Sequence, residues 1–437
     1  MTVVSFLNRN CPESASKKGW LAFQLGLFFL PSSAFIAALF LLKACFDGSF
    51  QKGCKYLDDP WNYPFLGAAF LMIIGCVGSY SGWLSWVGLL NWLPFFWLFW
   101  AFQPYLRTSS SRRSSALCLL SGSIPVVITG IGQIFFSWEG PWQLFNGLII
   151  WFISPGGEPN GRLSGLFDYA NIAGAWLSII WPISLAALLQ SKLKYSERFI
   201  LLFLSISIVS ALILTDSRNA WGALVLAIPF VLGPFSWFWL LPLLALCLVP
   251  IVFSIVPWFG LDINLWFRTF VPEAIWSRLS DVRYMGQRAL VSTRINQWGV
   301  AINLLLEKPW LGWGAAAFSI LYPLRTGLWL GHAHNLPLEL GVSHGIPASL
   351  LIIIPIITLL ITALKKGVLT SEKKEDNYLK LNIFDRAWWT SSFILLVLHA
   401  SDIPFFDSRL NIAGWVLLAG LRCLIKSNKK NSIQNSF

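Results

Sequence analysis

The sequence predicts an all-α integral membrane protein that crosses the bilayer many times. Three observations carry this. Of 437 residues, 56% are apolar and only 12% are charged, about half the charge of a soluble chain. Mean hydropathy is +0.64. The apolar residues gather in long unbroken runs, unlike the alternating ten-residue segments of a porin-type barrel. A water-soluble enzyme and a disordered chain are both excluded.

The apolar runs lie at 20–43, 63–79, 83–103, 117–136, 170–190, 198–214, 219–234, 237–257, 335–363, 386–401 and 409–425. Each is long enough, or nearly so, to cross about 30 Å of hydrocarbon. The 32 Lys and Arg against 20 Asp and Glu give a net charge of +12, which reflects basic residues held in cytoplasmic loops. No nucleic-acid motif accompanies them, so no nucleic-acid partner is expected. Arg107, Arg112 and Arg113 separate the third and fourth runs, and Lys192, Lys194 and Arg198 the fifth and sixth. Lys365, Lys366, Lys373, Lys374 and Lys380 follow the ninth, and Lys426, Lys429 and Lys430 the last. With these groups in the cytoplasm, every intervening run crosses once.

The first run is the exception. Arg9, Lys17 and Lys18 precede it and Lys52 and Lys55 follow it, so both ends favour the cytoplasm. Pro31-Ser32-Ser33 in its middle predicts a hairpin, giving about twelve membrane helices in a single polytopic domain spanning 1–437. The seven cysteines are scattered, with neither metal-site spacing nor a disulfide framework. No short apolar region ending in an A-x-A site precedes the first run, so no cleavable signal peptide is expected.

This topology leaves 137–169, 215–218, 258–334 and 401–409 on the outer side. The 258–334 loop is the only large piece outside the membrane, and loops of that length are usually functional. Within it, Ile295, Trp298, Ile302 and Leu305 recur at helical spacing, which predicts an interfacial helix from Arg294 to Leu306.

The outer segments collect Arg162, Asn171, Asp216, Arg218, Arg294, Arg325, His332, His334, Asn335, Asp402, Asp407 and Arg409. Singly each has an ordinary role. Arg218 can snorkel at a helix start, Asp216 or Ser217 can cap that helix, Arg294 can meet lipid phosphate, and an Asp–Arg pair within 402–409 can tie the last two helices together. Together they have a chemistry. Arginines aimed at one cavity form a permanently charged clamp for phosphate oxygens, and a neutral imidazole beside them can take a proton from a hydroxyl. No Asp-x-Asp pair or His/Cys/carboxylate cluster of metal-site spacing is legible on this face, so no metal and no cofactor is expected. The arginines would carry the charge developing on a diphosphate leaving group.

Four segments resemble the O-antigen ligase/polymerase superfamily of bacterial envelope enzymes. They are Arg162-Leu163-Ser164-Gly165-Leu166-Phe167 followed by Asn171; Thr215 to Trp221; Arg294-x3-Trp298-x10-Pro309-x2-Gly312-x-Gly314; and His334-Asn335 with Glu339 and Gly345-Ile346-Pro347. The resemblance covers roughly 117–425. It implies a GT-C-like, all-helical glycosyltransferase of the bacterial inner membrane. Such an enzyme moves a glycan from an undecaprenyl-diphosphate carrier to an acceptor hydroxyl at the periplasmic face, inverting the anomeric centre without a metal. The acceptor would be lipid A-core in a ligase, or another carrier-linked glycan in a polymerase. Carried over by motif, His334 would activate the acceptor, and Arg218 and Arg294 would neutralise the diphosphate. Arg162, Asn171, Asn335 and Arg325 are further candidate substrate contacts. The segment Asp402 to Arg409 is more elaborate than in a typical ligase. It resembles a branch whose members include some labelled inorganic-carbon transporters, so a small-anion transporter is the alternative. That alternative predicts inverted repeats and broken helices near the midplane.

Overall fold

The computed structural model describes residues 10–190, 193–256, 260–280, 293–369 and 382–434. Of the basic residues used for orientation, Arg9, Lys192, Lys373, Lys374 and Lys380 lie outside them, as do the part of the long loop at 281–292 and its residues 258 and 259.

The chain is an all-α membrane protein. Among the described residues, nine helices are long and apolar enough to cross a bilayer. Three shorter ones, Lys17–Phe29 (α1), Arg218–Leu232 (α10) and Asn382–Leu398 (α17), occupy the remaining expected runs. The first run does fold as a hairpin. After α1 the chain turns through Pro31 and Ser32, Ser33 caps the Ile36 amide at 3.3 Å, and Ala34–Gln51 (α2) returns antiparallel. Gly26 of α1 lies against Leu41, and Gly19 against Asp47.

Next come Tyr63–Val77 (α3), the short Trp83–Gly88 (α4) and Leu93–Ala101 (α5), then Ser109–Gly122 (α6) and Ile124–Phe135 (α7). Ala170–Leu188 (α8) is buried along most of its length and packs against Tyr195–Leu214 (α9), α10 and α17. Pro234–Ile255 (α11) leads into the long loop. The loop carries Leu261–Phe270 (α12), Glu273–Leu279 (α13), Arg294–Glu307 (α14) and Ala317–Thr326 (α15). Leu336–Ala363 (α16), α17 and Ser408–Gln434 (α18) complete the bundle. The main core runs through these helices, with Trp20, Trp176, Trp388 and Trp389 fully buried.

Helix α14 forms where the sequence predicts it, but its apolar stripe is divided, with Trp298 and Leu305 half-buried and Leu305 packed on the loop's own core. Ile295 and Ile302 are exposed, while Gln297, Ala301 and Leu304 are buried. Ala301 and Leu304 join Phe318, Tyr322, Ala333 and Val342 in a small core of the loop's own. The 137–169 segment, expected only as a loop, contains a two-stranded hairpin, Trp142–Leu144 (β1) against Ile149–Trp151 (β2). The Asn146-Gly147 pair at its turn is the local signal for it.

Charge divides by end. At the end where α8 and α10 finish, Arg112 grips Asp385 with Nε–Oδ1 at 2.7 Å, both side chains buried. There too Arg422 reaches Asp59 at 2.8 Å and Arg386 donates to the Val231 carbonyl at 2.9 Å. These contacts gather the segments expected in the cytoplasm onto one face. Arg112 is therefore an internal tie as well as a topogenic charge.

Candidate active site

At the opposite end several helices begin around one open cavity, whose empty space including its solvent-facing mouth is about 720 Å³. Asn171 and Ile172 come from the first turn of α8. Ser217, Asn219 and Ala220 come from the start of α10, and His334 stands just before α16. His332, Asp402, Ile403, Pro404 and Phe406 close the wall. Three helices thus start at the cavity, and the partial positive charge of a helix N-terminus favours an anion there.

His334 is placed by backbone geometry that few residues adopt. Its φ is 51°, in the left-handed region. Glu339 holds the preceding turn by accepting the Ala333 amide at 3.0 Å. Asn335 caps α16 through Leu338 at 3.0 Å and ties it to the Ala400 carbonyl at 2.9 Å. Helix α16 itself is broken at Gly345, with φ 80° and ψ 168°. The loop at 309–314 fills that break. Trp313 and Gly314 donate to the Val342 and Ser343 carbonyls at 2.7 and 3.0 Å, and Ile346 donates to the Pro309 carbonyl at 2.7 Å. A Cβ at Gly345 would stand 2.2 Å from the Trp310 carbonyl oxygen, so glycine is required both for conformation and for closeness.

Asp402 is the hub. Its Oδ1 lies 3.0 Å from His334 Nδ1, and its Oδ2 lies 4.0 Å from Arg294 Nη2. Burial pushes its carboxyl up, but the His334 hydrogen bond, the Arg294 charge and the Ile403 amide outweigh that and hold it at about 2. The His332 ring stands 4.1 Å from that of His334 and stacks on Phe406 at 5.4 Å. Burial, with His334 and Arg294 nearby and Asp402 opposing them, pushes His332 down to about 4. His334 thus meets Asp402 through Nδ1, and Nε2 is the ring nitrogen left on the far side of that contact.

The other predicted residues divide. Asn171 lines the cavity. Arg218 is half-buried between two lining residues, Ser217 and Asn219. Its turn is held from behind. Asp216, at φ 49°, pairs with buried Arg278 at 3.1 Å. Ser217 is the N-cap of α10, though its side chain makes no capping bond. Arg162 is buried and donates to the Thr215 carbonyl at 2.9 Å and to Asn171 Oδ1 at 2.6 Å, so it reaches the cavity through Asn171. Asn335 is engaged as cap and tether. Arg325 is not brought to the site; it pairs with Glu307 at 2.6 Å on the exposed side of the loop.

Two features escaped the sequence. Asp402 was one of many outer-face carboxylates, 68 residues from His334, with no local cue that it meets the imidazole. The Asp–Arg pair expected in 402–409 is Asp407–Arg409, at 2.6 Å. It docks on the segment before α8, through the Leu166 carbonyl at 2.8 Å and the Phe167 ring at 3.9 Å. The expectation of no metal-site cluster is also corrected. His332, His334 and Asp402 each present a ligand atom within 4.8 Å of one another. Only the His-x-His half of that set is visible in the chain.

The family model described as O-antigen ligase matches residues 200–353. That segment runs from α9 through the whole long loop to the middle of α16, and so contains Arg218, Arg294 and His334. The match spans about a third of the chain and supports its likeness to the O-antigen ligase/polymerase superfamily. No curated protein matches it significantly. That likeness supports a glycosyltransferase-type, multi-pass membrane protein working on glycan or lipid-linked substrates, and does not favour the transporter alternative. The matched span thus supplies Ser217, Asn219, Ala220, His332 and His334 to the cavity wall, while Asn171 of α8 and the 402–406 segment, outside it, supply others.

Proposed function

We propose that the protein transfers or polymerises a glycan from an undecaprenyl-diphosphate carrier onto an acceptor hydroxyl. The acceptor is lipid A-core or another carrier-linked glycan. The cavity opens to the periplasmic face of the inner membrane, and the 258–334 segment is the large periplasmic loop beside it. The observation that carries this reading is the contact of His334 Nδ1 with Asp402 at 3.0 Å, beside Arg294, in a cavity ringed by helix starts.

In this mechanism Nε2 of His334 takes the proton of the acceptor hydroxyl as its oxygen attacks the anomeric carbon from the face opposite the diphosphate. The glycosidic bond to the diphosphate oxygen breaks and its electron pair leaves with that oxygen, inverting the centre. Asp402 holds the imidazole and stabilises the imidazolium that forms. Arg218 and Arg294 neutralise the diphosphate, so no metal is required. Arg162 and Asn335 position the cavity wall. The break in α16 supports this over transport, because its amides and carbonyls are engaged by the 309–314 backbone instead of facing an ion path.

The test incubates purified protein with a lipid-linked glycan and separate acceptors in EDTA. Transfer is expected, and His334→Ala, Arg218→Ala and Arg294→Ala are each expected to abolish it while still inserting. Strict metal dependence, or normal transfer by all three variants, overturns the proposal.

A further inference from the structure

The same cavity holds a donor set for a cation. His332, His334 and Asp402 converge to within 4.8 Å, and tetrahedral zinc ligands at about 2 Å from the metal stand roughly 3.3 Å apart. Small side-chain rotations close that gap. The donors are otherwise fixed. The left-handed backbone at His334 turns its ring onto that of His332, with centroids 4.1 Å apart. Phe406 backs His332, Glu339 pins the intervening Ala333 amide, and the Ile403 amide pins the Asp402 carboxylate at 2.9 Å. Two imidazole nitrogens and one carboxylate oxygen suit zinc and its late first-row neighbours, whereas magnesium and calcium require mostly oxygen.

One group opposes it. Arg294 stands 4.0 Å from the carboxylate oxygen that does not face His334, so a dication must compete with a guanidinium for Asp402. That opposition makes zinc binding weaker than in a dedicated metalloenzyme.

We propose that His332, His334 and Asp402 form a site for a divalent late-transition cation of the Zn²⁺ type, and that the bound cation inhibits glycan transfer. A metal on His334 ties up the imidazole that the acceptor proton requires, so metal occupancy and acceptor activation exclude one another. The inhibitory half rests on the transferase reading above; the binding half does not.

The experiment uses the full chain in detergent, stripped with chelator, with exposed Cys54 and Cys247 replaced by serine because free thiols compete for zinc. ZnCl₂ is titrated against a chromophoric chelator, with MgCl₂ as comparison. One zinc per chain is expected. Binding should weaken at least tenfold in His332→Ala and in the milder His332→Gln and Asp402→Asn, and should tighten about tenfold in Arg294→Gln. Circular dichroism and gel filtration of each variant separate lost ligands from lost fold. The absence of saturable zinc binding, or binding unchanged in folded His332→Gln, overturns the site.

Transfer by the same protein is then measured in EDTA, at saturating zinc, and after EDTA is restored. A reversible loss of at least tenfold supports inhibition, and undiminished transfer at saturation overturns it. If no condition gives transfer, the transferase reading fails, and the titration alone decides the metal site.

Discussion

Asp402→Asn is the most informative single substitution, because it keeps the shape of the hub and removes its charge. The His334 contact is 3.0 Å long; with Asp402 ionised it is charge-assisted already, and in the proposed mechanism it becomes an ion pair once the imidazole accepts the acceptor proton. Such a bond is worth about 1.5–3 kcal/mol, which at about 1.4 kcal/mol per decade is roughly a ten- to hundredfold loss of kcat. His334→Ala removes the base itself and should cost more, about 10²–10⁴. If Asp402 acts through His334, adding Asp402→Asn to His334→Ala should cost almost nothing further. The sign of the pH effect also follows. A carboxyl held at about 2 stays ionised across any practical assay range, so titration of Asp402 itself should contribute nothing to the pH dependence of transfer between about pH 5.5 and about pH 8. The assay is metal-free transfer from a lipid-linked glycan, comparing kcat for wild type, both single variants and the double. A rate within twofold of wild type for Asp402→Asn, or an equal penalty in the presence and absence of His334, would refute the reasoning.

Other consequences are equally direct. Arg112→Ala strands the buried Asp385, so unfolding in detergent should fall by about 3–5 kcal/mol, while the paired replacement Arg112→Met with Asp385→Leu recovers most of it; an unchanged midpoint for the single variant counts against the tie. Gly345→Ala places a Cβ 2.2 Å from the Trp310 carbonyl at a φ of 80°, and should destabilise by about 1–3 kcal/mol and displace His334, lowering both melting temperature and transfer. Arg325→Ala breaks only an exposed pair with Glu307, so transfer should stay within twofold of wild type; a tenfold loss would bring Arg325 into the site.

The bundle was legible because hydrocarbon imposes a length and an apolar composition on each crossing. Even the hairpin at Pro31 followed from charge at both its ends. The site was legible in part, through residues that are costly at a membrane surface, such as Arg218, Arg294 and His334. Pairing was not. Nothing near Asp402 distinguishes it from Asp407, yet one meets the imidazole and the other a neighbouring guanidinium. Likewise Arg162 and Arg325 look like equal candidates in the chain, but one is walled in behind Asn171 and the other faces outward beside Glu307. Partner choice over such separations is fixed by tertiary packing, which composition and periodicity do not encode.

The strength of each arginine's engagement then sorts scaffold from chemistry. Arg112, Arg278 and Arg409 are at most 14% exposed and grip carboxylates at 2.6–3.1 Å. A guanidinium held that tightly has no freedom to follow a leaving group. Arg294 is 35% exposed and stands 4.0 Å from Asp402, a range at which it steadies the carboxylate, and in the proposed mechanism it also meets the diphosphate. Since Asp402 also orients His334, a donor that draws Arg294 away leaves the carboxylate to the imidazole alone. Donor binding and readiness of the base are therefore linked through one side chain. Asp402→Asn should accordingly change both kcat for transfer and the apparent KM for the donor, whereas a carboxylate that only oriented His334 would leave the donor KM unchanged.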